Sequence, residues 1–329
     1  MQKRITQRDV AAHARVSQAA VSRVMGGHGY VAGEVRERVL RAAEEIGYRP
    51  DPVARSLITG RSDIVAVVVG HVANPLFPQM LGTLTARLRA QGQRVLLFNA
   101  APGQEIDELL PDALRYRLAG IVILAAELHS RAAAICAAAE VPAVFLHRYP
   151  EGGGVPAIAC DGVAGGRAAV GELVRTGCRR IAYVGGSATS SPDRDRRRGF
   201  ALGMEGAGIA PVACLDGAFT YDWGAEAMRM LMRSVPGIDG IFCGDDVIAC
   251  GVMDAARHEL GLGIPRDLSV IGFDDVPQAA WSSYDLTTIR QPLDAMIGRA
   301  IEVLGAAEPG ARGVELVAGS LVRRASTRG

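Results

Sequence analysis

From Ile64 onward the chain returns repeatedly to one pattern: a short uninterrupted apolar run, then a stretch of helical periodicity. The runs Ile64–Val69, Val95–Phe98, Ile121–Leu124, Ala143–Leu146, Ala157–Cys160, Ile181–Val184, Gly240–Cys243 and Leu268–Phe273 read as strands. Helical patterns lie between them, as at Gln79–Ala90, Ala164–Thr176, Gly224–Arg233 and Val247–Leu260. Strands that are apolar on both faces must be covered on both faces, so the sheets are parallel and flanked by helices. There are too many strands for one small sheet, so residues 62–329 are expected to form two doubly wound parallel-sheet lobes. At 329 residues and 49% hydrophobic content, the chain can fill cores of that size.

The stretch before this body is of another kind. In VSQAAVSRVM, Val16–Met25, Ser17 can cap a short helix by accepting a backbone N–H bond. Ala20, Val21 and Val24 then share one face, and Gln18, Ala19, Ser22 and Arg23 the other. An amide, a methyl and a guanidinium at a helix start suit the base edges of a major groove: Arg for guanine, Gln for adenine, Ala for the thymine methyl. An ordinary surface helix would carry the same residues, and the preceding segment decides between the two. Thr6 and Asp9 form a capping-box-like pair that opens a first helix, with Val10 and Ala11 facing inward. Two short helices joined by a tight turn at Ala14–Val16 make a helix-turn-helix. A third helix, with Val35, Val39, Ala42 or Ala43 and Ile46 on its inner face, ends at Gly47.

Charge divides the chain the same way. The net charge is only +1, but residues 1–61 hold 11 Lys/Arg against 6 Asp/Glu, and the rest is mildly acidic. A basic head on a larger body fits a nucleic-acid-binding module joined to a regulatory one. The six cysteines include no C-x-x-C and sit mostly among apolar neighbours, as buried free thiols do in a reducing compartment. The start, MQKRITQRDV, has no apolar core of a signal peptide, and no run is long and apolar enough to span a membrane. A cytoplasmic protein is expected. The end, LVRRAST and after, shows no heptads, so no added tetramerisation helix is expected.

Between head and body, Asp51 as N-cap and Pro52 at the first helical position open a helix of about two turns, too short to be stable alone in water. Such a segment can fold on docking, and its Leu57 could then wedge between base steps in a minor groove. It could equally be a plain linker with Leu57 against the body.

The motifs ITQRDVAAHARVSQAAVSRVMGG and RERVLRAAEEIGYRPDPVARSLITG together resemble the head and hinge of the LacI/GalR family of bacterial transcription regulators. The resemblance implies an N-terminal all-α helix-turn-helix head, residues 1–49, and a hinge helix and linker, 50–61. It implies a periplasmic-binding-protein-like α/β body, 62–329, whose chain crosses three times between lobes: one about 62–160 and 292–320, the other about 161–290. It also implies a homodimer on a pseudo-palindromic operator in double-stranded DNA, a sugar-like effector in the interlobe cleft, and a repressor function. By position, Gln18 and Ala19 match the variable base readers and Arg23 a further base contact. Thr6, Ser17, Ser22, Tyr30 and Arg36 match phosphate contacts, and Val53, Ala54 and Leu57 the hinge contacts. Three departures are visible. Arg15 stands where the turn usually has Gly, Gly26 replaces the usual Asn, and Ala32 replaces a capping Ser or Thr.

Ligands of open α/β sheets bind beyond the carboxyl ends of the strands. The residues there are polar and aromatic, as a hydroxylated ligand requires. Arg196, in R-x-x-G-F, and Asp274, in GFDD, match the family's ligand-site Arg and Asp. His71, Leu76, Phe77, Phe219 and Asp245 match pocket-lining positions, and His147 stands where Asp is common. Either histidine could instead be a satisfied core residue. Asp245 replaces the usual Asn and can accept but not donate, so the ligand should differ from common hexoses. Asp246 is expected to cap the helix from Val247, Asp275 to serve a turn, and Trp223 and Trp281 to pack. The dimer seam is expected along Phe77–Arg89 and a matching second-lobe surface.

No catalytic residues, metal ligands or cofactor are expected. Neighbouring carboxylates such as Asp245–Asp246 point apart, and no H-E-x-x-H, G-x-S-x-G or P-loop is present. Gly152-Gly153-Gly154 lies in a loop and opens no helix, which weakens a sugar-nucleotide enzyme. The remaining alternative is a cytoplasmic solute- or sugar-binding protein without operator function, against which the basic head speaks.

Overall fold

The structure is a computed structural model that describes residues 5–26, 30–48, 62–70, 72–101, 104–124, 129–306 and 313–329. The chain separates into two compact units, 1–63 and 64–329. The expected hinge helix, with Val53, Ala54 and Leu57, lies outside the described residues, as does His71.

In the first unit, α1 (Gln7–Ala14) begins where the Asp9 carboxylate accepts from the Thr6 backbone N–H at 2.8 Å and from its hydroxyl at 2.7 Å. It ends at Arg15, which takes a left-handed conformation, φ 52 and ψ 50. The Val16 N–H then closes back on the Ala11 carbonyl at 3.0 Å. This is the position where Gly would be free of strain, and the departure noted in the sequence is met by a strained Arg. α2 (Gln18–Gly26) is capped by the Ser17 hydroxyl, which accepts from the Ala20 N–H at 3.2 Å. α3 (Gly33–Glu45) receives no side-chain cap from Ala32, as that substitution implies. Among the described residues, Val10, Val21, Val24 and Val39, with Ala11, Ala14, Ala42 and Ala43, form the buried core of the head.

The second unit holds two six-stranded sheets. The first-lobe elements run β1 (Ile64–Val69), α4 (Leu76–Ala90), β2 (Arg94–Asn99), α5 (Ile106–Ala113), β3 (Gly120–Ile123), α6 (Ala132–Ala138), β4 (Ala143–Leu146) and β5 (Ala157–Cys160). The chain then crosses to α7 (Gly162–Arg175), β6 (Ile181–Val184), α8 (Ser191–Gly206), β7 (Ala213–Leu215), α9 (Tyr221–Ser234), β8 (Gly240–Cys243), α10 (Asp246–Asp254), β9 (Ser269–Asp274) and β10 (Thr287–Arg290). It returns through α11 (Leu293–Gly305) to β11 (Val314–Val317), and ends in β12 (Ser320–Val322).

The first sheet has the order β11-β5-β4-β3-β1-β2 and is parallel throughout. The second, β12-β10-β9-β8-β6-β7, is parallel except where β12 runs against β10. Each order reverses direction once, between β1 and β3 and between β6 and β8, so each lobe has its own topological switch point. The chain passes between sheets three times. The last crossing falls between Val317, paired with Cys160 in the first sheet, and Ser320, paired with Arg290 in the second.

The helix pair α7 and α8 packs backbone to backbone. A Cβ on Gly199 would lie 2.3 Å from the Val163 carbonyl oxygen, and one on Gly166 2.5 Å from that of Arg196. Only glycine permits this approach, and it fixes the helix that bears Arg196 against the first interlobe crossing.

Candidate functional site

On the head, Val21 and Val24 turn into the core while Gln18, Ala19 and Arg23 stand exposed on the opposite side of α2. Thr6, Ser17 and Arg36 are also exposed, Ser22 is half-buried, and Tyr30 is 91% exposed. The expected reading face is therefore free of the head's own packing.

On the body, α8 and the end of β9 bring Arg196 and Asp274 together. Arg196 Nη2 donates to Asp274 Oδ1 at 2.9 Å, and both side chains are 3% exposed. The Arg196 guanidinium lies 3.9 Å over the Phe273 ring and also bonds the Gly244 carbonyl. Gln291, on the second interlobe crossing, donates to the same Asp274 oxygen at 2.6 Å. Burial pushes the Asp274 carboxyl up, and Arg196 and Gln291 oppose that shift. Its backbone is in a positive-φ conformation, φ 119, and so are Asp275 and His147 at 57 and 75. Strained backbone concentrates where strand ends face the cleft, as it does at functional sites generally.

The helix cap expected of Asp246 falls to Asp245. Asp245 is the N-cap of α10: its Oδ1 accepts from the Ile248 N–H at 2.8 Å. Its Oδ2 accepts from Asn74 Nδ2, on the first lobe, at 2.8 Å. Asp246 instead lies at the first helical position, and its carboxylate accepts from the Val276 N–H at 2.9 Å and the Thr288 hydroxyl at 2.5 Å. Burial, and then the neighbouring Asp274, push the Asp245 carboxyl up to about 7.

His147 is buried and meets the Phe77 ring edge-on at 5.7 Å. Burial, followed by the charges of Arg196 and Arg148, lowers its pKa well below the usual imidazole value, so it is neutral. Phe219 lies 5.4 Å under the Arg148 guanidinium. Leu76 and Phe77 belong to the first lobe's apolar core. Asp275 pairs with Arg290 and Arg324, both at 2.6 Å, rather than serving a turn alone. Trp223 packs, with its indole N–H on the Gly185 carbonyl at 2.8 Å, whereas Trp281 is 54% exposed and not packed as expected.

His147, Tyr149, Cys160, Asp195, Arg196 and Phe273 line a cavity of about 10 Å³, room for one water. Four of these six were not among the expected effector residues. Tyr149 and Asp195 are ordinary surface residue types in a linear reading, and only the meeting of lobes puts them together. The six cysteines are free, and five are buried. Among the described residues no helix is long and apolar enough to cross a membrane.

Residues 6–51 match the family model for bacterial regulatory proteins of the lacI family, and residues 170–327 match a periplasmic binding protein-like domain. The ribose operon repressor of Halalkalibacterium halodurans is 35% identical over 289 residues, which cover 88% of this chain and 86% of the repressor. The HTH-type transcriptional regulator GntR of Pseudomonas aeruginosa is 32% identical over 330 residues, 97% of this chain and 91% of the regulator. The Lac repressor dimer bound to operator and the anti-inducer ONPF superposes with a TM-score of 0.88 at 26% identity, covering 99% of this chain and all of that one, 100%. The CelR–cellobiose complex gives 0.74 at 28% identity, covering 98% and 100%. A helix-turn-helix head with its reading face exposed, two periplasmic-binding-like lobes, and this identity along most of the chain place the protein in the lacI family of bacterial regulatory proteins, as a DNA-binding transcription regulator.

Proposed function

We propose that the protein is a repressor that binds a pseudo-palindromic operator as a homodimer and is controlled by a small sugar-like effector held between the lobes of the body. The observation that carries the DNA side is α2, which offers Gln18, Ala19 and Arg23 outward while Val21 and Val24 bury its other face. Two such helices on a dimer would enter successive major grooves about one helical turn apart.

On the effector side, Arg196 and Asp274 offer a guanidinium and a carboxylate, with His147 lining the same small cavity as Arg196 and Phe219 under Arg148. That set bonds hydroxyls and stacks on sugar faces. Relatives named for the ribose operon and a neighbour solved with cellobiose support a saccharide. The cavity beside Arg196 holds only a water, so a saccharide that reaches Arg196 there would part the lobes. An effector that favours one lobe spacing thereby changes operator affinity, and by linkage operator DNA changes effector affinity by the same factor.

The experiment has two arms. Fluorescence anisotropy with duplexes from upstream of the protein's own gene reads operator binding, and a thermal-shift series against pentoses, hexoses and their acids reads the cleft. A sugar that both raises Tm and changes operator affinity is the expected result. A protein with no preference among duplexes, or with no response to any saccharide, would sink the corresponding half.

A further inference from the structure

Besides the Asn74–Asp245 bond, a second set of polar contacts joins the lobes close to Arg196, and nothing in the effector reading uses it. Tyr149 follows β4 on the first lobe. Its hydroxyl donates to Asp195 Oδ2 of α8, on the second, and accepts from Arg194 Nη2 at 2.9 Å. The Tyr149 backbone N–H donates to the Ser191 hydroxyl at 3.0 Å. Arg194 completes the set: its Nε bonds Asp195 Oδ1 at 3.1 Å, its Nη1 reaches Glu151 at 3.3 Å, and its guanidinium lies 5.3 Å over the Tyr149 ring. Tyr149 and Asp195 also line the small cavity next to Arg196, so the contacts sit at its wall.

The loop that carries Tyr149 runs on into a glycine triplet. Gly152, Gly153 and Gly154 follow it, with φ of +91, +67 and +98 and nothing within 4 Å of where a Cβ would stand. Three consecutive residues in conformations that favour glycine make the turn, while Tyr149 packs against the first lobe's core, so its hydroxyl is presented to the second lobe by the first. Burial, and then Asp195, push the Tyr149 phenol above its usual range, so it keeps its proton and stays a donor at every working pH.

We propose that Tyr149, Asp195 and Arg194 form a clasp beside the first interlobe crossing, which holds the lobes together without effector and must break for them to part. A charge-assisted contact of this kind contributes more than a neutral one. The clasp thus sets how often the cleft opens, and with it the rate at which operator control can respond. This rests on the cleft being the effector site.

The test reads lobe spacing with no ligand present. Spin or fluorescent labels go on native Cys214, the exposed cysteine of the second lobe, and on Glu108→Cys, an exposed first-lobe position. Unlabelled protein in excess keeps dimers to one labelled copy. Tyr149→Phe and Asp195→Asn should each raise the population with longer label separation at least threefold over the unsubstituted protein. Tyr221→Phe is the control, since its hydroxyl bonds Asp254 at 2.9 Å within one lobe, and it should change nothing. Distributions for Tyr149→Phe or Asp195→Asn that superimpose on the unsubstituted protein, or an equal shift in Tyr221→Phe, overturn the clasp. Either variant carries the test if the other fails to fold. Because no effector enters the measurement, its failure is separate from failure of the cleft assignment, which the sugar series reports.

Discussion

Arg196 and Asp274 stand 78 residues apart in the chain and meet at 2.9 Å, each side chain almost fully buried. The pair lies at the carboxyl end of β9, where a ligand of the second lobe would reach it. Breaking such a pair leaves one buried charge uncompensated, at a cost of about 3–5 kcal/mol. Asp274→Ala should therefore lower the urea midpoint sharply and abolish effector response, while Asp274→Asn, which keeps an accepting oxygen for Arg196 but not the counter-charge, should lose less stability and still lose the response. Operator binding without effector should survive in Asp274→Asn. A full effector response in that variant would remove Asp274 from the ligand site.

Asp245 makes stability depend on pH in a defined direction. Its carboxyl is held at about 7 when folded, against roughly 4 for an ordinary aspartate. Between those values the folded protein keeps a proton that the unfolded chain has released, so this group's contribution falls as pH rises through the window. Asparagine at that position still caps α10 and has no such proton. Asp245→Asn should gain on the unsubstituted protein progressively from about pH 4 to 7 and hold that gain above it. Thermal melts across pH check this, and a difference that does not vary with pH contradicts it.

The close approach of α7 and α8 predicts a sensitive glycine. An added methyl at Gly199 would meet the Val163 carbonyl oxygen at 2.3 Å, backbone that cannot swing aside. Gly199→Ala should cost about 1–3 kcal/mol by overpacking. It should also disturb Arg196, three residues away on the same helix, which weakens effector response beyond the loss of stability. Gly171→Ala, on α7 with nothing near its Cβ, should be neutral or slightly stabilising, since alanine favours helix.

Which parts of the molecule the linear chain reveals follows from burial. The strands Ile64–Val69, Ala143–Leu146, Ala157–Cys160, Ile181–Val184 and Gly240–Cys243 have the bounds read from their apolar runs. The strand Thr287–Arg290 escaped that reading because two of its three buried residues, Thr287 and Thr288, are polar. Thr287 is bonded to the Arg324 carbonyl and Thr288 to Asp246, so hydropathy does not mark them. Ala213–Leu215 and Ser320–Val322 are short edge strands, covered on fewer sides and correspondingly weak in pattern. In the cleft, Arg196 and Asp274 stand out through the motifs around them. Tyr149 and Asp195 do not, since their meaning comes from a contact between lobes that no local spacing encodes.

Arg15 offers a prediction for the head. Its left-handed backbone, φ 52, carries a side chain where glycine would pay no steric penalty. Arg15→Gly should stabilise the helix-turn-helix by roughly 0.5–1 kcal/mol, read as slower amide exchange at Val10 and Val21 in the full chain. Unchanged or faster exchange would mean that the turn is held by contacts of the arginine side chain.

The central claim is that exposed Gln18, Ala19 and Arg23 read DNA in two symmetric copies. Repeated selection of random duplexes by the full-length protein tests it most directly. The account predicts an enriched motif with two-fold symmetry, and Arg23→Ala should relax one position in each half-site, at about 1–3 kcal/mol of lost discrimination. Enrichment of no symmetric motif, or the same motif at undiminished stringency from Arg23→Ala, would contradict it.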